Sequence, residues 1–319
     1  MLFEKAIVNT YRKMLLTRQD PDGSIFYYGP EDFPDLKAEP FAFTGDKGQR
    51  LQGYFYETEV SKTGRVLVFD HGMGCGHKAY MKEIVTLARA GYLVFAYDHT
   101  GTLESEGENI GGFSQSLADL HHAIGALIKH PRCEGRSFSV VGHSWGAFST
   151  MNIGAFFPEI THLVAISGFI SVDMMLRSVL GRLSGYAPAI FRGESERFGG
   201  YAYADARLSL METRADALIV HSSDDPIGPY SHFEALRAAL GDRENITFLS
   251  VEGKGHNPNF TRDAVTYKDE FFKRHTELTK KKKLVTKEEK EAFVKSYDWE
   301  RMTAQDGEFW GTVLEFLEK

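Results

Sequence analysis

The sequence predicts an α/β fold: a mostly parallel central sheet, helices on both of its faces, and a helical insertion. Short apolar runs alternate with helical patterns along the chain, which is typical of parallel strands that are buried on both faces. A hairpin signal precedes these runs, so one edge of the sheet is expected to be antiparallel. Residues 169–214 lie between two strand signals and are too long for one crossover, which indicates a helical lid.

The N-terminal segment, residues 1–40, predicts a helix followed by an irregular extension that is rich in Asp, Pro and Gly. Four residues recur at helical spacing: Phe3, Ile7, Tyr11 and Met14. The segment has an early acidic residue and no continuous apolar core, so it is not expected to be a signal peptide.

The core of the fold is expected to consist of residues 41–168 and 215–319, in which apolar runs bounded by turn residues indicate strands. The strand signals are residues 40–44, 50–58, 66–70, 92–97, 137–141, 162–167, 217–221 and 246–251. The helix signals are residues 77–90, 117–128, 147–157, 231–240 and 309–317.

A second insertion, residues 263–305, is highly charged and helical in pattern. Thr286 and Glu289 have the spacing of a capping box that opens a helix. Lys280–Lys283 form a basic run, but acidic residues surround it, so a solvated connection is expected here instead of a membrane contact. The sequence leaves open whether this insertion extends the lid, forms a homodimer contact or covers the sheet.

Composition excludes several classes of protein. The hydrophobic share of 42% and charged share of 25% are ordinary for a soluble globular protein. A net charge of -7 favours no nucleic-acid partner. No run approaches the roughly 18 apolar residues of a membrane span, and the two cysteines, Cys75 and Cys133, predict no disulfide framework. A cytoplasmic protein is expected.

The segment Gly142-His143-Ser144-Trp145-Gly146 lies between a predicted strand and a predicted helix. A G-x-S-x-G pattern in that context is typical of a nucleophile elbow, which exposes a serine hydroxyl on a sharp turn. The glycines allow the turn and the close approach of the strand to the helix. Ser144 is therefore the candidate nucleophile.

An acid and a base are expected after later strands, in the chain order Ser, Asp or Glu, His. Asp224 and Asp225 follow the strand signal at 217–221, and His256 follows the one at 246–251. The carboxyl ends of parallel strands meet at one edge of a sheet, where open α/β folds place their sites. Position alone leaves Asp224 and Asp225 both open.

On these motifs the chain resembles the α/β-hydrolase superfamily, in its lidded esterase, lipase and serine-peptidase branch, from about Phe41 to Asn257. In that family the acid commonly comes four residues after a strand-end His and four before a Pro. His221, Asp225 and Pro229 keep this spacing, which favours Asp225, and Gly255-His256 matches the family's G-H segment. Ser222 replaces the usual Gly after the strand-end His.

The resemblance also implies an oxyanion hole made of the backbone amides of Met73 and Trp145. His71-Gly72-Met73-Gly74 matches the family's H-G-x-x segment, whose third residue usually donates one of these amides. The family's D-x-R-G-x-G-x-S-x-G loop is only partly kept in residues 98–107, since Thr100 and Leu103 replace its Arg and middle Gly. A different loop shape is expected there.

The residues together predict a serine hydrolase that cleaves carboxylic esters through Ser144, His256 and Asp225, with no metal and no organic cofactor. The side chains expected to contact a small-molecule ester or peptide-like substrate are His71, His143, Met174 and Phe191. Alternatives are an aminopeptidase-type serine peptidase, for which Glu194 or Glu196 would hold a free amino terminus, an acyl thioesterase, and a catalytically silent binding protein. Acyl group, leaving group and oligomeric state stay open.

Overall fold

A computed structural model describes residues 8–13, 16–60 and 64–319 of the chain. Its strands are Lys37–Thr44 (β1), Arg50–Glu57 (β2), Arg65–Asp70 (β3), Leu93–Tyr97 (β4), Ser137–His143 (β5), Ile160–Ile166 (β6), Asp216–Ser222 (β7) and Ile246–Val251 (β8). They form one sheet in the order β1-β2-β4-β3-β5-β6-β7-β8. The pairs β1–β2 and β2–β4 are antiparallel and the other pairs are parallel, which confirms the predicted sheet and its antiparallel edge.

The helices that the structure describes are Met81–Arg89 (α1), Gln115–Leu127 (α2), Trp145–Ile153 (α3), Val172–Leu180 (α4), Ala187–Phe198 (α5), Ala206–Glu212 (α6), Tyr230–Leu240 (α7), Arg262–Lys280 (α8), Lys287–Lys295 (α9), Trp299–Met302 (α10) and Gly307–Leu317 (α11). Residues 8–13 are also helical. Residues 1–7 and 14–15, which hold Phe3, Ile7 and Met14 of the predicted N-terminal helix, lie outside the described residues. None of the described helices is long and apolar enough to cross a membrane.

Helices cover both faces of the sheet because successive strand residues point to opposite sides. In β3, Val66 and Val68 belong to one apolar cluster, with α2, α3 and α7, whereas Leu67 and Phe69 belong to a second cluster, with α1 and α11. Because both faces of the sheet are covered, the strands have sequences that are continuous apolar runs. It leaves the carboxyl ends of the parallel strands, and the loops that follow them, as the edge where side chains of different strands meet.

The segment between β6 and β7, predicted as a lid, contains α4, α5 and α6. Its buried anchor is Glu194 of α5, whose carboxylate accepts hydrogen bonds from the Phe113 amide (3.1 Å) and from the Ser114 amide (3.2 Å) and hydroxyl (2.9 Å). The ring of Phe169 stacks on Phe148 of α3 with centroids 4.7 Å apart. These contacts attach the inserted helices to the loop before α2 and to the helix after β5.

The charged insertion forms α8, α9 and α10, with the predicted capping box at Thr286 and Glu289 confirmed in both of its hydrogen bonds. These helices enclose a small aromatic cluster of their own, which shares the partly buried residues Phe26 and Trp299 with the cluster of α1 and α11. Its buried members are Phe271, Val294 and Met302, and the partly buried residues packed on them are Phe26, Tyr267, Phe293, Tyr297 and Trp299.

Candidate active site

Ser144 occupies a sharp turn between β5 and α3, with φ 54° and ψ −111°. A non-glycine residue in such a conformation costs on the order of 1–3 kcal/mol and persists only where the surroundings fix it. Here the Ser144 amide donates to the carbonyl of Ile166 at 2.8 Å. A Cβ at Gly146 would lie 2.1 Å from the Asp70 carbonyl oxygen, so only glycine lets α3 approach β3 this closely. Helix α3 therefore begins at Trp145, two residues before the predicted start.

His256 lies in the loop after β8, and its Nδ1–H donates to Asp225 Oδ2 at 2.7 Å. The other carboxylate oxygen, Oδ1, accepts the amides of Ile227 (2.8 Å) and Gly228 (2.9 Å). Burial alone would raise the pKa of Asp225, but hydrogen bonds from His221 and His256 outweigh it and hold that pKa well below its usual value. Asp225 is therefore an anion aimed at the imidazole of His256.

Asp224, the neighbouring aspartate, has a different position. Its Oδ1 accepts hydrogen bonds from the Ser222 hydroxyl (2.5 Å) and from the amides of Gly253 (3.0 Å), Lys254 (3.3 Å) and Gly255 (3.4 Å). Asp224 thus holds the loop that carries His256, whereas Asp225 bonds to the imidazole itself. The geometry separates the two carboxylates that the sequence left open.

The loop of His256 is joined to the elbow by the residue that precedes Ser144. His143 Nε2 lies 2.7 Å from the His256 carbonyl oxygen, and the two imidazole rings are 4.9 Å apart between centroids. Among the described residues, the half-buried Ser144 hydroxyl makes no hydrogen bond, either to His256 or to any other group. Catalytic hydrogen bonds often tighten only when substrate is bound.

Gly72, the residue before the predicted oxyanion amide of Met73, and Trp145, which carries the second predicted amide, both adjoin Ser144. A Cβ built on Gly72 would stand 3.3 Å from the Ser144 Cβ, which places the loop after β3 directly against the elbow. Trp145 is the first residue of α3, where amide groups have no intrahelical acceptor and the helix dipole favours negative charge. In the part of the chain that the structure describes, neither the Met73 nor the Trp145 amide donates to a protein acceptor.

Two of the predicted substrate contacts, His71 and His143, have rings that are buried and already hydrogen-bonded within the protein, and their contact with substrate stays a prediction. His71 Nδ1 donates to the Gly72 carbonyl at 2.7 Å, and its Nε2 accepts the His99 amide at 3.1 Å. Burial lowers the pKa of His71 and of His143 to about 3, so both rings are neutral. Residue type and closeness to the elbow suggested substrate contact, but neither reveals burial.

Met174 and Phe191, the other two predicted pocket residues, are partly buried and pack against the main apolar cluster. Phe191 also makes an edge contact with Tyr203, with ring centroids 5.3 Å apart. None of these contacts reaches Ser144, so a substrate role for the two side chains stays a prediction. A cavity of about 440 Å³ lies elsewhere, between residues 8–13 and α5, and is lined by Arg12, Leu16, Asn109, Gly193, Glu196 and Arg197.

A buried ionic cluster beneath the oxyanion loop was missed by the sequence analysis. His99, at the end of β4, lies between two carboxylates, with Nε2 2.9 Å from Asp70 and Nδ1 3.3 Å from Asp119. Its ring centroid is 4.8 Å from that of Trp145. Burial would lower the pKa of His99, but the two carboxylates raise it to about 9, which favours the charged form of this buried histidine at neutral pH.

We expect this cluster to make stability fall as the pH rises. The folded-state pKa of His99, about 9, exceeds the unfolded value near 6.5, so the stabilisation is complete below about pH 6.5 and is lost towards pH 9. The full shift corresponds to about 3 kcal/mol of unfolding free energy. Denaturant titrations from pH 6 to 10 measure it, with Asp119→Asn as the comparison because it removes one carboxylate. Parallel stability curves for wild type and variant would contradict the assignment.

Comparisons with known proteins agree with this architecture. The family model of serine aminopeptidases (S33) matches residues 61–193, less than half of the chain. An esterase of Pyrococcus furiosus has a TM-score of 0.59 and 17% identity, with 83% of this chain and 98% of the esterase covered. The α/β-hydrolase GrgF of a Penicillium species has a TM-score of 0.55 and 17% identity, covering 77% and 98%.

An acylaminoacyl peptidase of Pyrococcus horikoshii is also similar, with a TM-score of 0.52 and 16% identity. The match covers 70% of this chain but only 38% of the peptidase. No curated protein sequence matches the chain significantly. At these identities the likeness establishes the fold.

Proposed function

Because the chain is an α/β-hydrolase by fold, we propose that it is a serine hydrolase that cleaves carboxylic esters of small to medium acyl groups. The observation that carries the proposal is the placement of three loops at one sheet edge. The strained elbow presents Ser144, the loop after β8 presents His256 bonded to Asp225, and the loop after β3 lies against Ser144.

In the proposed mechanism, the Ser144 oxygen attacks the acyl carbon while His256 Nε2 accepts the hydroxyl proton. Asp225 holds the imidazole in the Nδ1–H tautomer and stabilises the imidazolium that forms. The amides of Met73 and Trp145 bind the oxyanion, and each such donor is worth roughly 10²–10³ in kcat. The imidazolium then gives its proton to the leaving alcohol, and a water activated by His256 releases the acid from the acyl-enzyme.

A peptidase is the second candidate, favoured by the match of residues 61–193 to the serine aminopeptidase model. A peptidase that trims from the amino terminus needs a carboxylate that is free to bind the substrate's ammonium group. Glu194 of α5 does not meet this need, because its carboxylate is buried and accepts three hydrogen bonds from residues 113 and 114. Glu196 is exposed and lines the cavity together with Arg12 and Arg197, so it stays the candidate carboxylate for this role, and the peptidase stays second to ester hydrolysis.

The test is hydrolysis of p-nitrophenyl esters from acetate to palmitate, beside aminoacyl p-nitroanilides, with fluorophosphonate labelling and mapping of the labelled peptide. We expect turnover of the shorter esters, little release from the anilides, and label on Ser144. Turnover of anilides alone would favour the peptidase. If neither substrate reacts and Ser144 takes up no label, the chain is a non-catalytic protein with this fold.

A further inference from the structure

Three hydrogen bonds through Tyr80 and His143 connect the oxyanion loop to the base loop. The Gly72 amide lies 3.2 Å from the Tyr80 hydroxyl oxygen, which lies 2.9 Å from His143 Nδ1. On the other side of the ring, His143 Nε2 lies 2.7 Å from the His256 carbonyl oxygen. All three bonds are buried or nearly so, and Tyr80 comes from the short 3-10 helix His77–Tyr80, outside the motifs that mark the site.

Only one arrangement of protons satisfies these three hydrogen bonds. The His256 carbonyl can only accept, so His143 must carry its proton on Nε2. Because burial keeps His143 neutral, its Nδ1 has no proton and must accept from the Tyr80 hydroxyl. The Tyr80 oxygen then accepts the Gly72 amide proton. With these proton positions every donor in the network has an acceptor. Any other placement of the protons would leave at least one of these groups without a partner.

The network gives His256 a second anchor. Its imidazole is held at Nδ1 by Asp225, but a side chain has a fixed position only when its own backbone is fixed. Gly253 and Gly255, both with positive φ, make the base loop a series of tight turns. The bond from His143 to the His256 carbonyl holds that backbone to the residue next to Ser144. The same hydrogen-bond network ends at the Gly72 amide, next in sequence to the Met73 amide that is predicted to bind the oxyanion.

We propose that Tyr80 and His143 are positioning residues, which together hold the His256 backbone and the oxyanion loop at a fixed separation on either side of Ser144. Neither side chain touches the substrate. Their effect is on the geometry of the chemical step, where small displacements of reacting groups are costly. This inference rests on the proposed ester hydrolysis, and it assigns Tyr80 a role for which the sequence carries no motif.

The test is the steady-state kinetics of Tyr80→Phe, which removes one oxygen and with it both of that residue's bonds. We expect kcat to fall by about 10- to 100-fold with KM unchanged, because substrate contacts stay intact while the base and the oxyanion amides lose their fixed spacing. The matched control is Tyr56→Phe. Its hydroxyl makes an equally buried 2.9 Å bond to His77 Nε2, and that bond includes none of Gly72, His143 and His256, so kcat should stay at the wild-type value.

Variants of His143 separate positioning from a general loss of structure. Gln has one acceptor and one donor side by side and can replace the ring's two bonds, whereas Leu has neither. We therefore expect His143→Gln to keep most of the kcat that His143→Leu loses. If Tyr80 acts through His143, the double variant Tyr80→Phe/His143→Leu should lose no more kcat than the worse single variant.

Two outcomes would overturn the inference: a Tyr80→Phe variant with the kcat of Tyr56→Phe, or independent losses that multiply in the double variant. Should Tyr80→Phe not fold, the comparison of His143→Gln with His143→Leu decides, and equal losses in the two count against it. A wild-type chain without esterase activity or fluorophosphonate labelling is a different result, because it rejects the proposed function itself.

Discussion

Replacing Ser144 by alanine is expected to lower kcat for p-nitrophenyl esters by a factor on the order of 10⁶. The reason is that the Ser144 hydroxyl forms the acyl-enzyme in the proposed mechanism, and alanine leaves no atom to do so. The remaining rate would come from binding and from oxyanion stabilisation alone. Initial rates measure the loss, and fluorophosphonate labelling should disappear with it.

Ser296→Ala is the matched control, because it removes a serine hydroxyl that bonds only to the Phe293 carbonyl on the exposed surface of the C-terminal insertion. We expect wild-type rates and labelling for this variant. An Ser144→Ala protein that is folded and still cleaves esters at a substantial fraction of the wild-type rate would rule out Ser144 as the nucleophile.

Asp225→Asn is expected to lower kcat by about 10⁴ with little change in KM. Asp225 now accepts the Nδ1–H of His256 at 2.7 Å, and an asparagine amide would present there either a donor or a neutral acceptor. The imidazole would then lose the tautomer and the charge stabilisation that proton transfer from Ser144 needs. The measurement is kcat and KM for the best ester of the series, with circular dichroism as the check on folding.

The adjacent aspartate supplies the control. Asp224→Asn removes a negative charge one residue away, but its amide oxygen still accepts from Ser222 and from the amides of residues 253–255. We expect it to affect stability more than kcat. Equal kcat losses in the two variants would mean that the charge of the turn matters and not the bond to His256.

The sheet could be predicted from the sequence because burial on both faces produces apolar runs that stand out from their surroundings. The same reasoning located the nucleophile, acid and base candidates, since each follows a strand and parallel strands end at one edge. Strand ends alone could not separate Asp224 from Asp225. That distinction depends on which carboxylate faces the His256 imidazole, and the backbone conformation of the short turn after β7 determines this orientation.

Other parts of the site depend on contacts between residues distant in sequence, for which no local pattern exists. Tyr80 bonds to His143, which is 63 positions later in the sequence, and His99 contacts Asp70, which belongs to the neighbouring strand. His71 and His143 are predicted to contact substrate because they lie in the sequence at the oxyanion loop and the elbow, and sequence position does not reveal burial. Both rings are buried by loops and helices that are distant in sequence and that pack at this edge of the sheet only in the folded protein.

The aromatic cluster of α8, α9 and α10 has a consequence for how the protein opens. These helices share a small core of their own. Among the described residues, the polar links that join them to the rest of the chain include Lys268 Nζ to Asn257 (2.8 Å), Lys290 Nζ to Asp22 (2.5 Å), and Lys82 of α1 to Glu300. We expect a unit with its own small core to exchange its amide hydrogens as one cooperative step, at a lower free energy than the sheet. Because Lys268 of α8 bonds to Asn257, the residue after His256, we expect such subglobal opening to stop catalysis while the eight strands remain paired. Heat inactivation would then precede global unfolding.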